Sequence, residues 1–506
     1  MNVSAQNSCF WIRIRALVIA GVVLISYAYF YQGGGWNQNS RFDLVRAVVE
    51  QGTLRIDAYH ENTDDKAFAN GHYYSDKAPG LAFLAVPIAE ATRPLLRALG
   101  VDPASPRGLV AMSYCITVFA VALPMALACG VLFLIALRLG SEIGAAAFAA
   151  LALGLATPMW AYSTLFWGHS LAGASLVFAF AFALKLRLKQ SNAEDVLLGL
   201  AVGLTAGWAT VTEYPAAPAA VMVAVLALAM VWKDGWSRRW LMAAGIAVGA
   251  SACVAVLLIY QFRVFGSALQ PSYSYYPAGA FPWMKRGYMG LTYPRIDVAL
   301  KLLFGCRRGL LFVAPVTLAA PFGLRWLWKQ PSGHAAAATA AGVAAYYFLF
   351  NASFLVWAAG WSYGPRYMAA GLPLLCLGLA PAWSKARPFW RGVLALTAAC
   401  GGLFALMAVS TTAQPPDEFR CALVQLIWPS FWAGKLSLNT ESMLKISEES
   451  SGHAHGAFNL GELAGLHGLS SLIPLLVMWA LAAVFWAWIR RAEQVAKLDL
   501  QTVSRE

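Results

Sequence analysis

The sequence predicts an all-α polytopic membrane protein of about 12–13 transmembrane helices, and three observations carry that prediction. Hydrophobic residues fill 59% of the 506 positions and charged residues only 12%, far from the usual balance of a water-soluble domain. Apolar runs of about 20 residues, enough to cross a bilayer as helix, recur along the whole chain. Aromatic residues reach 13%, with 20 Trp, which fits rings set at headgroup level.

The first run, 12–31, begins beside Arg13 and Arg15. It is longer than a signal-peptide core and lacks a small-residue cleavage site, so a retained span is expected. Further spans are expected at 109–137, 142–160, 168–186, 194–212, 214–232, 240–262, 309–328, 335–357, 367–383, 389–409 and 469–489. Gly80 to Leu99 differs, because it carries Glu90, Arg93 and Arg97. If it crosses, the basic connections at 185–189, 233–239, 325–329 and 385–391 lie opposite Arg13 and Arg15. If it dips into the bilayer or lies along it, they share the cytoplasmic face with Arg138, Arg490 and Arg491, as the positive-inside rule asks.

That second solution has a consequence that was not used to obtain it. The polar stretches around 36–79, His169, Glu213, 263–308, 360–367 and 410–470 all fall on the outer face. The expected organisation is a transmembrane domain over 1–409 with a first external loop at 32–107, an external segment at 410–468, and a last span with a cytoplasmic tail at 469–506. The net charge of +13 is accounted for by topology, and no nucleic-acid partner is expected. Eight cysteines are scattered singly without a CxxC pair, which argues against zinc-ribbon and redox motifs. Cys306 and Cys421 both fall outside, where they could pair.

Residues 36–79 form the densest polar stretch. Six carboxylates lie between Asp43 and Asp65, and a seventh, Asp76, directly precedes Lys77. Phe42, Val45, Val48 and Val49 make a helical stripe suited to the membrane surface, with Asp43, Arg46 and Glu50 turned to water and Gly52 as the stop. Residues 53–59 alternate like an extended piece, Asn70-Gly71 reads as a turn, and Ala78-Pro79-Gly80 breaks the chain.

NSRFDLVRAVVEQGTL followed by NGHYYSDKAPG resembles the GT-C superfamily of integral-membrane glycosyltransferases, in the bacterial branch of aminoarabinose transferases and relatives of protein O-mannosyltransferases. GWSYGPRY, from Gly360 to Tyr367, resembles a late external motif of the same branch. The resemblance implies transfer from a polyprenyl-phosphate-linked sugar, with membrane lipids and an acceptor of unspecified class as partners, at the outer face of the cytoplasmic membrane. One departure matters. Where that branch has acid after the first span, this chain has Asn37, Gln38 and Asn39, and amides cannot serve as a general base.

The base is therefore expected among Asp64, Asp65, Asp43 and Asp57, with Asp64 or Asp65 favoured because adjacent like charges raise one pKa. Lys77 is the expected donor-phosphate ligand, though a lone Lys beside a span is commonly a snorkelling anchor. Arg366, in a rigid Gly-Pro-Arg-Tyr turn, presents a fork to phosphate or anchors an interface, and Arg307 and Arg308 are weaker phosphate candidates. Asn39, Tyr74, His169, Glu213 and Tyr363 are candidate substrate contacts, with buried structural residues or an aromatic belt as the plain alternative. No cofactor is fixed by these residues. A divalent metal ion on Asp76 and His169 is raised by analogy with the aminoarabinose branch. Two other readings remain: an O-antigen ligase or polymerase, which would carry its largest external loop late, and a lipid-linked-sugar transporter or flippase, which would need ionisable groups in mid-span.

Overall fold

The computed structural model describes residues 3–186, 191–439, 443–444 and 456–503. Arg187 and Lys189 of the first basic connection, much of the segment 440–455 and the last three residues of the tail lie outside the described residues. Among the described residues, eight helices are long and apolar enough to cross a membrane: Cys9–Ala28, Pro106–Arg138, Gly168–Lys185, Asn192–Thr212, Trp236–Phe265, His334–Ser353, Pro388–Thr411 and Gly468–Val495. A ninth is added if Arg366–Cys376 and Leu379–Lys385, bent by 45°, count as one span. The chain is a multi-pass helical membrane protein.

The other expected runs form shorter or interrupted apolar helices for a local reason. The run at 142–160 is divided between the Ile143–Leu155 and Met159–Ser163 helices, and that at 214–232 is helical over Tyr214–Met230. The run at 309–328 is cut into Leu310–Val313, Pro315–Ala319 and Ala320–Trp328. Proline lacks the N–H that continues a helix and disfavours helical backbone in the residue before it. Pro158, Pro215 and Pro315 stand at these breaks, so the apolar runs there are divided into shorter helices.

Gly80–Ala98 is a helix outside that set. Leu81, Ala85, Ala89, Thr92 and Leu96 are buried at helical spacing while Glu90, Leu95 and Arg97 are exposed, the pattern of an amphipathic helix. The Asn192–Thr212 helix packs closely along Trp236–Phe265. A Cβ at Gly199, Gly203, Gly245 or Gly249 would strike the opposite backbone, so these glycines set the approach, as small residues do in membrane packing.

Two short ribbons shape the loops. Phe30–Gln32 pairs antiparallel with Ala457–Asn459, and Lys66–Ala69 with His72–Ser75. Asn70 and Gly71 both take positive φ, 51° and 80°, which is the two-residue turn that matches strand twist. The Trp36–Gln51 helix is not the surface helix its stripe predicts. Phe42, Val45, Ala47 and also Asp43 are fully buried, because the helix is covered by the Gly80–Ala98 helix and the hairpin. Burial pushes the Asp43 carboxyl well above the usual range, a bond from Asn62 offsetting part of it. Asp43 therefore does not face water.

Candidate active site

The hairpin register builds the first half of the site. Lys66 lies opposite Ser75, so the next residues outward, Asp65 and Asp76, come together, and two like charges across a ribbon need a cation between them. Lys77 supplies it. Its Nζ lies 2.8 Å from Asp65 and 2.8 Å from Asp76 Oδ2. Asp76 is fully buried and also accepts from Tyr276 at 2.7 Å and Ser40 at 3.2 Å. Burial lowers the Lys77 pKa, but Asp65 and Asp76 more than offset it, so the ammonium sits above its ordinary value. Burial likewise pushes Asp76 up, against Lys77, which lowers it.

The second half comes from three other elements. Glu213 ends the Asn192–Thr212 helix, ahead of Pro215. Its Oε1 accepts from Arg41 Nη2 at 2.7 Å and lies 3.7 Å from His169 Nδ1. A Cβ at Gly168 would collide with the Glu213 carboxylate, which is why a glycine opens the Gly168–Lys185 helix. Arg366 Nε donates to His169 Nε2 at 3.0 Å and Nη1 to the Ala359 carbonyl at 3.2 Å. Its guanidinium lies 4.1 Å over the Trp167 ring, a favourable stacking arrangement. Gln38 ties the pieces together by accepting from the Phe166 N–H at 2.7 Å.

Both halves line one cavity of about 1040 Å³. Its charged lining among the described residues is Arg41, Lys77 and Arg366 against Asp65, Glu213 and Asp417. Tyr273, Tyr276, Trp283, Tyr288, Phe350, Phe354 and Tyr367 supply much of the apolar and aromatic wall. A cavity with a few convergent charges in an aromatic wall has the form of a ligand site, and its size is at the upper end of such sites.

The expected site residues divide around it. Asp65, Lys77, His169, Glu213 and Arg366 line the cavity. Asp64 does not: its side chain is 61% exposed against 16% for Asp65, and it lies 3.8 Å from Lys66. Asp57 is on the hairpin's outer side, bonded to His72 at 2.8 Å and to the Tyr73 N–H at 2.7 Å. Asn39 is buried in the helix and donates to the Asn62 carbonyl. Tyr74 packs edge-on against Phe265, and Tyr363 is buried with its carbonyl accepting from Tyr162. Arg307 and Arg308 lie 3.1 and 2.9 Å from Asp417, so their charge braces a loop instead of lining the cavity. Arg41, Tyr273 and Tyr276 are also cavity residues, and Arg41, one helical turn after Asn37, bonds it at 3.3 Å.

The metal expectation does not fit. Asp76 Oδ2 is taken by Lys77 and Tyr276, and the His169 ring by Arg366 at one nitrogen, with Glu213 near the other. A guanidinium 3.0 Å from Nε2 is a poor neighbour for another cation. Among the described residues, no group of three or more His, Cys, Asp or Glu side chains could hold a metal ion.

The chain superposes on ArnT from Cupriavidus metallidurans in the apo state with a TM-score of 0.51 at 19% identity, over 85% of this chain and 71% of ArnT. The chain shares the fold of that structure. ArnT bound to undecaprenyl phosphate matches over the same shares at 18% identity, with a TM-score of 0.46. The archaeal oligosaccharyltransferase AglB from Archaeoglobus fulgidus, in complex with an inhibitory peptide and a dolichol-phosphate, gives 0.48 at 12% identity over 86% of this chain and 60% of AglB. No protein-family model and no curated protein sequence matches the chain.

Within this fold the Arg41–Glu213 pair is nearly closed off, the side chains being 2% and 12% exposed. Arg41→Ala leaves the carboxylate buried without its closest partner, which typically costs about 3–5 kcal/mol. A lower thermal unfolding temperature in detergent is expected, partly recovered in Arg41→Ala with Glu213→Gln. A parental unfolding temperature for Arg41→Ala alone would show that the pair does not hold the site.

Proposed function

We propose that the protein transfers a sugar from a polyprenyl-phosphate carrier to an acceptor hydroxyl, at the outer face of the cytoplasmic membrane. The observation that carries this is the convergence of Lys77, Arg366, Arg41 and Asp65 on one aromatic-walled cavity. Lys77 and Arg366 hold the donor phosphate, the first as a compact ammonium and the second through its fork. When the phosphate takes the place of Asp65 beside Lys77, the Asp65 carboxylate is released toward the acceptor. The acceptor oxygen forms its bond to the anomeric carbon and gives its proton to Asp65. The bond from that carbon to the phosphate oxygen breaks on the opposite side, with its electron pair leaving on the phosphate, so the anomeric configuration inverts. The two cations stabilise the charge as it develops. Tyr273, Tyr276 and Trp283 form the wall against which a pyranose ring and the first isoprene units pack.

The test is transfer by the purified chain in liposomes, offered radiolabelled polyprenyl-phosphate sugars and membrane lipid or glycan acceptors. Label is expected to leave the carrier and appear in the acceptor with inverted anomeric configuration. Label that stays on the carrier with every donor and acceptor offered rejects the reading.

A further inference from the structure

Most of the eight cysteines are accounted for by the helices. Cys129, Cys253 and Cys376 are buried, and Cys9, Cys115 and Cys400 lie within spanning helices. Cys306 and Cys421 are different. They belong to separate outer loops, 115 residues apart, yet Cys421 Sγ lies 3.8 Å from the Cys306 carbonyl oxygen and Cys306 Sγ lies 3.7 Å from the Arg420 carbonyl oxygen. Each sulfur thus reaches across to the other loop's backbone, Cys421 to Cys306 itself and Cys306 to the residue before Cys421.

We propose that Cys306 and Cys421 are a modification site, closing a disulfide that straps the end of the 263–308 loop to the 410–439 segment. What the strap holds is visible next to it. Arg307 and Arg308, which follow Cys306, lie 3.1 and 2.9 Å from Asp417, four residues before Cys421. Arg308 also donates to the Ala358 carbonyl at 2.9 Å and the Gly360 carbonyl at 2.7 Å. Between these lies Ala359, at the strained φ of 61°, whose carbonyl accepts from Arg366. Strap, latch and turn form a continuous support for the guanidinium that lines the cavity. The inference rests on the outer-face reading of these loops, because structural disulfides persist in oxidising compartments.

The chemistry needs a disulfide donor, of the dithiol–disulfide oxidoreductase class. The exposed Cys306, as thiolate, attacks the donor disulfide and forms a mixed disulfide. Cys421 then attacks the Cys306 sulfur, and the donor leaves as a dithiol carrying the two electrons and the two protons that the cysteines give up. Burial, with Cys306 adding to it, pushes the Cys421 thiol up to about 11, consistent with Cys306 being the first to react.

The experiment uses the full chain in intact cells, a membrane-impermeant maleimide, and tris(carboxyethyl)phosphine as reductant, with peptide mapping to assign each label. Ser237→Cys serves as the cytoplasmic-face marker, since Ser237 is exposed on a basic connection. Without reductant, Cys306 is expected at background labelling, rising to stoichiometric after reduction. A non-reducing digest should yield the two cysteine peptides joined. Cys421→Ser should leave Cys306 fully labelled without reductant. Stoichiometric labelling of Cys306 in the parent before reduction overturns the disulfide while leaving the outer face intact. Labelling of Cys306 only after permeabilisation, with Ser237→Cys labelled from outside, overturns the face assignment and the strap with it.

Discussion

Lys77→Ala is expected to lose sugar transfer by about 10²-fold or more, the scale set by removing one charge-stabilising donor from a transition state. The side chain is 9% exposed, faces the cavity and holds two carboxylates at 2.8 Å each. Its loss has two consequences that must be separated. One is chemical, since the departing phosphate loses its ammonium. The other is structural, since Asp65 and Asp76 then repel across the ribbon, and a buried pair broken on one side typically costs about 3–5 kcal/mol. Lys77→Ala with Asp76→Asn removes one of the two charges and restores much of that stability without restoring a phosphate ligand. Transfer should therefore stay lost in the double variant, at an unfolding temperature close to the parent's. Recovery of transfer together with stability would make Lys77 a strut and nothing more.

Much of this site was legible, and the register argument shows how. An Asn-Gly turn between Lys66–Ala69 and His72–Ser75 fixes the pairing of every residue back to the ends of the ribbon. TDDKAFANGHYYSDK thus already contained the meeting of Asp65 with Asp76 and Lys77. Reading Asn70-Gly71 as a turn without counting outward left Asp64 and Asp65 as equals. Asp43 failed for the opposite reason. Its helix carries a local stripe that reads as surface, but the cover comes from the hairpin, from Gly80–Ala98 and from Met443, whose carbonyl also accepts from Asn62, and no pattern within 16 residues encodes contacts 400 residues away. Arg41 was hidden likewise, its partner Glu213 lying 172 residues on. The apolar runs gave the membrane class directly, while the prolines inside them, visible but not weighed, decided where they divide into shorter helices.

The carboxylates next to that turn can be told apart by function. Asp65→Asn is expected to abolish transfer almost fully, and Asp64→Asn to leave it within a few-fold of the parent, measured as kcat with donor saturating. The argument is positional. A base must stand within hydrogen-bond reach of the hydroxyl it deprotonates, and Asp65 lines the cavity beside Lys77, whereas Asp64 is largely exposed and faces Lys66. Asn keeps the size of the side chain and accepts a hydrogen bond but takes no proton, so donor binding should survive in Asp65→Asn while turnover does not. Asp43→Asn is the control for burial. Its Oδ2 makes no hydrogen bond among the described residues, and burial pushes its pKa well up, so an isosteric amide there should leave transfer nearly unchanged. Comparable turnover in Asp64→Asn and Asp65→Asn would move the base to Glu213 or Asp417, the other carboxylates lining the cavity. Glu213 is already held by Arg41 and Asp417 by two arginines, and either would have to surrender a cation to accept the proton, which Asp65 does as soon as a phosphate arrives at Lys77.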